Sequence, residues 1–248
     1  MDSYVAFAGS YDELTTDVPY GAFADFYEDI FNVNGLKPNS LIDLACGTGT
    51  LTEIMAGRGY DMTAVDSSPD MLAVAADKLS GLDNRPLLLC QRLEELDLYG
   101  TVDTAYCSLD AINYIPGSLL PEVFERVRLF LEPGGIFIFD INTPEKLRGL
   151  DGQIFIDETD DDFCVWRAEI DEDINACVYG MDLFQRRGEL WERSNEEHIE
   201  YMHDLGDIKN MLSAAGLTDI RVYGNLRMEA PGPDEQRVFF TARKSVNI

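Results

Sequence analysis

The stretch Leu41–Gly49, LIDLACGTG, decides the fold of this chain. It begins as a short apolar run that is typical of a buried strand, and it ends in a Gly-x-Gly turn at Gly47 and Gly49, directly before a segment with helical spacing. Glycine lets the backbone come close to a ligand, and the first N–H groups of a helix are free to bind anionic oxygens. The stretch therefore predicts a strand, a ligand-binding turn and a helix, in that order.

Short apolar strands alternate with amphipathic helices on both sides of this stretch. Strands are predicted at Ser40–Ala45, Tyr60–Val65, Leu87–Gln91, Val102–Ser108 and Ile136–Asp140, and helices at Gly21–Asn34, Thr50–Ala56, Ser68–Leu79, Ser118–Leu131 and Leu205–Ala215. This alternation is typical of a parallel sheet with helices on both faces. With two closing strands, Thr218–Tyr223 and Gln236–Ala242, we expect an α/β, doubly wound, mostly parallel sheet of seven strands.

The pattern changes after about Pro144. Period-two segments separated by acidic turns predict an antiparallel β insertion, with strands at Ile154–Ile156, Phe163–Ile170, Ala176–Phe184 and Leu190–Tyr201. We therefore expect three parts. Residues 1–150 form an N-terminal helical lid and the first part of a ligand-binding domain, 151–202 form the insertion as a cap over the substrate, and 203–248 complete the ligand-binding domain with the last helix and the closing strands.

Composition and charge limit the partners of the chain. Its 248 residues include 19 Lys and Arg against 46 Asp and Glu, which gives a formal net charge of −27. Such a surface repels phosphate backbones and anionic membranes, so we expect neither unaided nucleic-acid binding nor membrane binding. The same charge also serves simply to keep a protein soluble.

The cysteines and the N-terminus indicate a reduced, cytoplasmic protein. The five cysteines are scattered and odd in number, and they are Cys46, Cys90, Cys107, Cys164 and Cys177. We interpret Cys46 as a small loop residue, not as a nucleophile. The sequence shows no pattern of a secretory or membrane-spanning segment, and we expect a monomer or a homodimer.

Two acidic residues indicate which kind of nucleotide the turn binds. Asp66 follows the second predicted strand, 66 − 47 = 19 positions after Gly47, where a carboxylate accepts hydrogen bonds from both hydroxyls of a ribose. A dinucleotide fingerprint needs a third glycine, but this chain has Thr52 there, and Asp43 would repel a pyrophosphate. An NAD-dependent oxidoreductase is therefore disfavoured, whereas Asp43 suits an ammonium or sulfonium group.

These features resemble motif I of the class I S-adenosylmethionine-dependent methyltransferases, with Ala45 where many members carry glycine. Further segments resemble later motifs of that family, at Ala64–Leu72, Cys90–Leu96, Asp103–Tyr114, Leu131–Gly135 and Phe139–Pro144. The resemblance covers about Tyr4–Pro144 well and the closing strands more loosely. It implies a Rossmann-like fold, S-adenosyl-L-methionine as the cofactor, and methyl transfer as the activity.

The resemblance also implies which residues bind the cofactor. Asp66 corresponds to the ribose acceptor, Met71 packs near the adenine, and backbone atoms of Arg92 and Leu93 replace a family aspartate that is absent here. The full implied set is Tyr11, Tyr20, Asp43, Ala45, Cys46, Gly47, Thr48, Gly49, Asp66, Ser67, Met71, Arg92, Leu93, Ser108, Leu109 and Asp110. Asn113 and Tyr114 are implied at the substrate.

Two N-terminal segments, Tyr11-Asp12 and Val18–Tyr20, are similar to a lid in small-molecule members of the family. The implied reaction is an in-line displacement of the methyl group by a small-molecule acceptor, in which the protein mainly places the nucleophile. No residue stands out as a general base. Asp110 is the first candidate, and His198 or His203 of the insertion comes behind it.

Some of these residues have simpler interpretations. Asp66, Asp110 and Asn113 are also ordinary cap or turn residues by type, and Tyr11 and Tyr20 are also ordinary core aromatics. We expect no metal site, since the two histidines would lie on opposite faces of one strand, and the acidic run at 157–162 lacks the glycine and final glutamate of a calcium loop.

The sequence does not decide which kind of molecule accepts the methyl group. We expect the aromatic residues of the insertion to shape a small-molecule pocket, and they are Trp166, Tyr179, Phe184, Trp191 and Tyr201. The alternatives are a methyltransferase that acts on RNA or protein, and a protein that binds S-adenosylmethionine without catalysis.

Overall fold

The computed structural model describes residues 11–246 and contains two β-sheets. The strands are β1 (Ser40–Leu44), β2 (Asp61–Asp66), β3 (Leu87–Cys90), β4 (Val102–Cys107), β5 (Leu131–Asn142), β6 (Ile154–Glu158), β7 (Asp162–Asp171), β8 (Ala176–Arg187), β9 (Leu190–Tyr201), β10 (Leu217–Gly224) and β11 (Arg237–Lys244). The helices are α1 (Tyr11–Leu14), α2 (Tyr20–Val33), α3 (Thr50–Gly57), α4 (Pro69–Leu79), α5 (Leu120–Phe130), α6 (Pro144–Arg148) and α7 (Leu205–Ala214).

The first sheet has seven strands in the order β10-β11-β5-β4-β1-β2-β3. Strands β1 to β5 are mutually parallel, and β11 is antiparallel to both of its neighbours. The predicted fold class is therefore confirmed. Strand β5 begins earlier than predicted, because Leu131 already pairs with Val102 before the Pro-Gly-Gly segment.

Helices cover both faces of this sheet, as the alternation of strands and helices predicts. Successive side chains of a strand point to opposite faces, so Leu41 packs with α2 and α3, while Ile42 packs with α5 and α7. Both side chains are buried, because in a doubly wound fold a central strand has no face toward water. The carboxyl ends of the parallel strands meet at one edge, where ligands bind in sheets of this kind.

The second sheet is the insertion, which we call the cap sheet. Its four strands run antiparallel in the order β6-β7-β8-β9, within two or three residues of the predicted segments. We call one face of this sheet the inner face. It carries the side chains of two cross-strand pairs, Trp166–Met181 and Tyr179–His198. On this face Cys164, Met181 and Leu183 are buried, whereas all five residues of β6 are exposed at the edge of the sheet.

Three short features differ from the sequence prediction or add to it. The helices α1 and α6 were not predicted as separate elements. Strand β9 ends at Tyr201, so the interpretation of His203 as a residue on the opposite face of that strand is wrong. Within residues 11–246, no helix has both the length and the apolar character to cross a membrane.

Candidate cofactor and acceptor site

The loop between β1 and α3 bends through three residues with left-handed backbone. Their φ angles are 58° at Ala45, 54° at Gly47 and 76° at Gly49. A Cβ atom on Gly49 would lie 3.1 Å from Cβ of Ala75, which shows how closely the loop packs on α4, while a Cβ on Gly47 would meet no atom within 4 Å. The loop is thus closely packed at Gly49 and open at Gly47, where a ligand can approach the backbone.

Asp66 lies at the carboxyl end of β2 and faces this loop. Its Oδ2 accepts a hydrogen bond from the Gly47 N–H at 2.8 Å, and its Oδ1 accepts one from the Ser68 N–H at 2.8 Å. Each carboxylate oxygen has a second lone pair, so both oxygens can still accept a hydrogen bond from a ligand hydroxyl. The N-cap of α4 is Ser68, not Asp66, since the Ser68 hydroxyl accepts from the Met71 N–H.

Asp43 is buried on β1 and has a partner of its own. The residue is only 2% exposed. Its carboxylate accepts a hydrogen bond from the Thr52 hydroxyl. Burial raises the pKa of Asp43 to about 7. Thr52, which replaces the third glycine of a dinucleotide fingerprint, therefore stabilises the acidic residue of the strand.

Helix α1 connects the loop to the cap sheet. The Thr48 hydroxyl donates to Asp12 at 2.6 Å, and the Lys78 ammonium forms an ion pair with the same carboxylate at 2.6 Å. The neighbouring Tyr11 packs against buried inner-face residues of the cap sheet, namely Cys164, Met181 and Leu183. Tyr20, at the start of α2, is partly buried, and burial raises its pKa. Residues 1–10 lie outside the described part of the chain.

The carboxyl end of β4 carries two consecutive residues with left-handed backbone, Leu109 (φ 56°) and Asp110 (φ 53°). Just before them, the Ser108 hydroxyl lies 2.6 Å from the Tyr27 hydroxyl. Non-glycine residues with φ > 0 are uncommon, and such strain persists where the surrounding structure fixes the chain, often at functional sites.

The side chain of Asp110 belongs to a buried ion-pair cluster. Its Oδ1 lies 2.6 Å from a guanidinium nitrogen of Arg237, and Arg237 also pairs with Asp140. The backbone N–H of Asp110 donates to Asp140 at 2.9 Å. Because the guanidinium already binds this carboxylate, the geometry works against the predicted role of Asp110 as a general base.

Asn113 and Tyr114 follow in a short 3-10 helix at Ala111–Tyr114. The fully buried Asn113 amide donates to the carbonyl oxygens of Asn142 and Tyr201, and its Oδ1 accepts from the Asn142 N–H. Asn113 therefore joins the cap sheet to β5. The Tyr114 ring faces the ring of His198, with 6.4 Å between centroids.

The remaining predicted cofactor residues lie near the ends of β1, β2 and β3. Met71 and Leu93 are buried, whereas Ser67 is exposed. The Arg92 side chain extends to Glu94 at 2.6 Å and is mostly exposed, so the implied cofactor contact through the Arg92 backbone stays a prediction. Burial raises the pKa of the Cys46 thiol well above its ordinary value, which fits a loop residue and not a nucleophile.

Sequence reasoning missed a second polar cluster beside this edge. Asn142 donates to Glu200 of the cap sheet at 2.8 Å, and Lys146 donates to the Asn142 side-chain oxygen at 2.7 Å. Burial raises the pKa of Glu200 to about 7 and lowers the pKa of Lys146. The only sequence signal for this cluster is the helix start at Thr143-Pro144, which places Lys146 in α6, shortly after the end of β5.

The aromatic residues of the insertion separate onto two faces. Trp166 and Tyr179 lie on the inner face, whereas Phe184 and Trp191 belong to the other face, where Trp191 is 49% exposed. Among the described residues, no group of three or more His, Cys, Asp or Glu side chains is placed to hold a metal ion. His203 lies with Nε2 3.3 Å from the Ile112 carbonyl oxygen, and burial lowers its pKa.

Comparison with known proteins shows which family the chain belongs to. Residues 41–135 match the family model described as a methyltransferase domain. A crystal structure of an S-adenosylmethionine-dependent methyltransferase from Clostridium acetobutylicum ATCC 824 is 31% identical, superimposes with a TM-score of 0.88, and covers 98% of this chain and 99% of that one. The chain belongs to the S-adenosylmethionine-dependent methyltransferases. The resemblance in motif I, the enzyme class and the cofactor are thereby confirmed.

Other relatives are similar to this chain over nearly its whole length. The Bacillus subtilis (strain 168) protein YqeM, which carries a methyltransferase name, is 29% identical over 99% of this chain and 98% of its own. DesVI of Streptomyces venezuelae is 20% identical with a TM-score of 0.79, over 97% of this chain and 98% of that one. At that identity DesVI shows a shared fold only.

Proposed function

We propose that this methyltransferase transfers the methyl group to a small-molecule acceptor, bound between the loop Ala45–Gly49 and the inner face of the cap sheet. The observation that carries this proposal is a series of contacts that joins the loop, helix α1 and the inner face of the cap sheet. Thr48 contacts Asp12 of α1, Tyr11 packs on the cap sheet, and inner-face rings lead back to Tyr114 beside the end of β4. We expect a site bordered by α1 and the cap sheet to admit a small acceptor more readily than a macromolecule.

The residues at the loop fit the cofactor. Asp66 has lone pairs left to bind ribose hydroxyls, the space beside Gly47 is open, and α3 offers its first N–H groups without a side-chain cap. S-adenosylmethionine, when bound, supplies a methyl group on a sulfonium leaving group. The chain itself orients the nucleoside through Asp66 and limits water through Tyr11 and the cap sheet.

Residues 151–202 would then act as the acceptor-binding cap and the N-terminal segment as a lid. The sugar N-methyltransferase KedS8 from Streptoalloteichus sp. ATCC 53650 shares the fold, with a TM-score of 0.73 at 19% identity. A small, polar acceptor is therefore a reasonable first class for a screen. The net charge of −27 opposes an acceptor RNA without a partner protein.

Calorimetry with S-adenosylmethionine, S-adenosylhomocysteine and NAD tests the assignment of the cofactor residues. Asp66→Ala removes two charge-assisted acceptors, so we expect the affinity for both adenosyl ligands to fall roughly 30- to 1000-fold, which corresponds to about 2–4 kcal/mol. Asp70→Ala, an exposed position in the first turn of α4, is the matched control and retains wild-type affinity.

An unchanged affinity in Asp66→Ala would refute the cofactor assignment, and heat from NAD would refute the choice of ligand. Transfer of a labelled methyl group to a panel of small amines, phenols and amino sugars, beside total RNA and protein, tests the acceptor class. Labelling of RNA or protein without any small molecule would overturn the proposal.

A further inference from the structure

We propose that the groove between α6 and the loop that joins β10 to β11 binds an anionic group of the acceptor, a carboxylate or a phosphate, through Lys146. This inference rests on the proposed function and narrows its substrate class, because it makes the acceptor an acid. The groove lies outside the segments that resemble the methyltransferase motifs.

The first observation is an open cavity of about 590 Å³ at the carboxyl edge of the larger sheet, where β5 ends and β11 begins. Three of its lining residues are cations, Lys146, Arg227 and Arg237, and two are acids, Asp234 and Glu235. Cations thus outnumber acids in this lining, whereas acids outnumber cations 46 to 19 in the whole chain. A cavity lined in this way attracts an anion to one place on an acidic protein.

The two arginines of the groove are already paired with carboxylates. Arg227 pairs with Glu235 at 2.5 Å, and Arg237 pairs with both Asp110 and Asp140. The Glu235 carboxylate also accepts backbone N–H groups of its own loop. These pairs hold the walls of the groove in place, and they leave the lysine as the cation that can take a further partner.

The second observation is the set of contacts of Lys146. Its Nζ donates to the neutral side-chain oxygen of Asn142 at 2.7 Å, and within residues 11–246 it forms no ion pair. An ammonium group has three N–H donors, so donors remain for a ligand in the groove. Lys146 is partly exposed and lines the cavity, which gives a ligand access to it.

The charges around Lys146 favour an anion beside it. Burial, and after it the repulsion from the Arg237 guanidinium, lowers the pKa of Lys146, although three acids oppose this shift, namely Asp110, Glu200 and Asp140. An anion bound at the ammonium would replace part of its lost hydration and would oppose the repulsion from Arg237. A ligand carboxylate or phosphate would therefore stabilise the charged form of this lysine.

The third observation is the position of the groove beside the proposed acceptor site. Asn142, the partner of Lys146, also donates to Glu200 of the cap sheet. Strand β5 lies two positions from β1 in the sheet, which is about 10 Å at the usual spacing of strands. An acid that binds Lys146 at one end can therefore bring a nucleophile at its other end toward the cofactor loop.

Lysine NMR tests the groove without a known acceptor. Protein labelled with ¹³C and ¹⁵N in lysine gives five Cε–Nζ correlations, and Lys146→Gln assigns the one from Lys146. The labelled protein is titrated at constant ionic strength with inorganic phosphate, with benzoate, and with benzamide as the neutral match of benzoate. We expect one anion or both to shift the Lys146 signal to saturation and to raise the pKa of Lys146, because a bound anion favours the ammonium.

The two anions distinguish a phosphate site from a carboxylate site, and the exposed Lys209 of α7 is the internal control. If neither anion moves the Lys146 signal, or if benzamide or Lys209 shows the same response, the proposal is overturned.

Kinetics test the acceptor class, with the acceptor that the screen identifies and its methyl ester. We expect the acid to have a KM at least tenfold below that of the ester. Lys146→Gln should raise the KM of the acid roughly 10- to 100-fold, because a charge-assisted hydrogen bond is lost. The kcat, the KM of the ester and the affinity for S-adenosylhomocysteine should stay within about threefold, and Lys146→Arg should recover part of the loss.

Arg148→Gln is the matched control, since it removes an exposed cation from the same helix and should leave the KM of the acid unchanged. An equal KM for acid and ester in the wild type would overturn the proposal, and so would a fall in kcat without a rise in KM in Lys146→Gln.

The failure of this inference is distinct from failure of the proposed function. If the wild-type protein methylates a small molecule that has no carboxylate or phosphate, the assignment of the groove is wrong while the activity stands. If neither adenosyl ligand binds the wild-type protein, the proposed cofactor site has failed, whatever the Lys146 signal does.

Discussion

The two sheets of this methyltransferase are stabilised in different ways. In the seven-stranded sheet, the central strands are covered on both faces, and their apolar side chains form two large clusters with the helices. In the cap sheet, the apolar clusters are small and lie on the inner face, and the outer face carries an Asp182 carboxylate between Arg167 and Arg193. The larger sheet folds around its own core, whereas the cap sheet depends on what its inner face contacts.

This difference shows where each part of the function is encoded. The cofactor loop is built from a contiguous strand–turn–helix unit, so its chemistry can be recognised locally. The acceptor side is built from residues far apart in sequence that meet only when the cap sheet docks, such as Asn113 with Tyr201. If the cap sheet binds the acceptor as proposed, substitutions in it change acceptor binding without changing the loop.

The largest expected effect is from the side chain that joins the two regions. Asn113→Ala leaves the Asn142 N–H and the Tyr201 carbonyl without their buried partner. We expect the free energy of unfolding to fall by about 3–5 kcal/mol, since each buried group left unpaired costs roughly 1–3 kcal/mol. Urea unfolding measures the loss.

The control for this variant is Asn195→Ala, on the exposed outer face of the cap sheet, which should change stability by less than about 0.5 kcal/mol. If Asn113→Ala proved as stable as this control, the two regions would not be joined through Asn113, and the comparison drawn above would lose its main contact.

The next effect concerns only the larger sheet. In the folded protein the pKa of Asp43 is about 7, above its ordinary 3.8, so between these pH values the folded state binds more protons than the unfolded state. Its contribution to stability is therefore present at low pH and is lost as the pH rises toward 7. Asp43→Asn, which keeps an oxygen for Thr52, should become more stable relative to wild type by about 4 kcal/mol across that range.

Urea unfolding of both proteins at several pH values between 4 and 8 measures this difference. Asp70→Asn, at an exposed helical position, serves as the control and should show no pH-dependent gain. A constant difference between Asp43→Asn and wild type at every pH would show that Asp43 titrates normally and is not constrained by burial.

The smallest expected effect is on the outer face of the cap sheet. Arg193 pairs with Asp182 at 2.5 Å, but its side chain is 61% exposed, and Arg167 still pairs with Asp182 when Arg193 is removed. Arg193→Ala should therefore cost less than about 1 kcal/mol in thermal or urea unfolding. A loss similar to that of Asn113→Ala would mean that the outer face is as important for stability as the inner face.

The fold could be predicted from sequence because its signals are local. Strands β1 and β2 are apolar runs that are each followed by a helix start, such as Ser68-Pro69 after β2, and the cap strands alternate with period two. The helix α6 was missed because it has only five residues, which is too short for a periodic pattern.

Of the candidate site, only the cofactor side has a local signal in the sequence. Asp66 and the glycines of the loop are separated by one βα unit, so their spacing carries the information. Arg237 reaches Asp110 across 127 residues, and Glu200 meets Asn142 across 58. Such pairs depend on strand order and on the docking of the cap sheet, which no periodicity in the sequence contains.

The positions of the two tryptophans have a practical consequence. Trp166 lies on the inner face beside His198, whereas Trp191 is at the rim of the cap sheet, with Arg186 6.0 Å from its ring centroid. One indole therefore reports on the inner face of the cap sheet and the other on bulk solvent. The chain contains its own pair of fluorescent probes, and Trp191→Phe leaves a single optical signal from the interior with no dye attached.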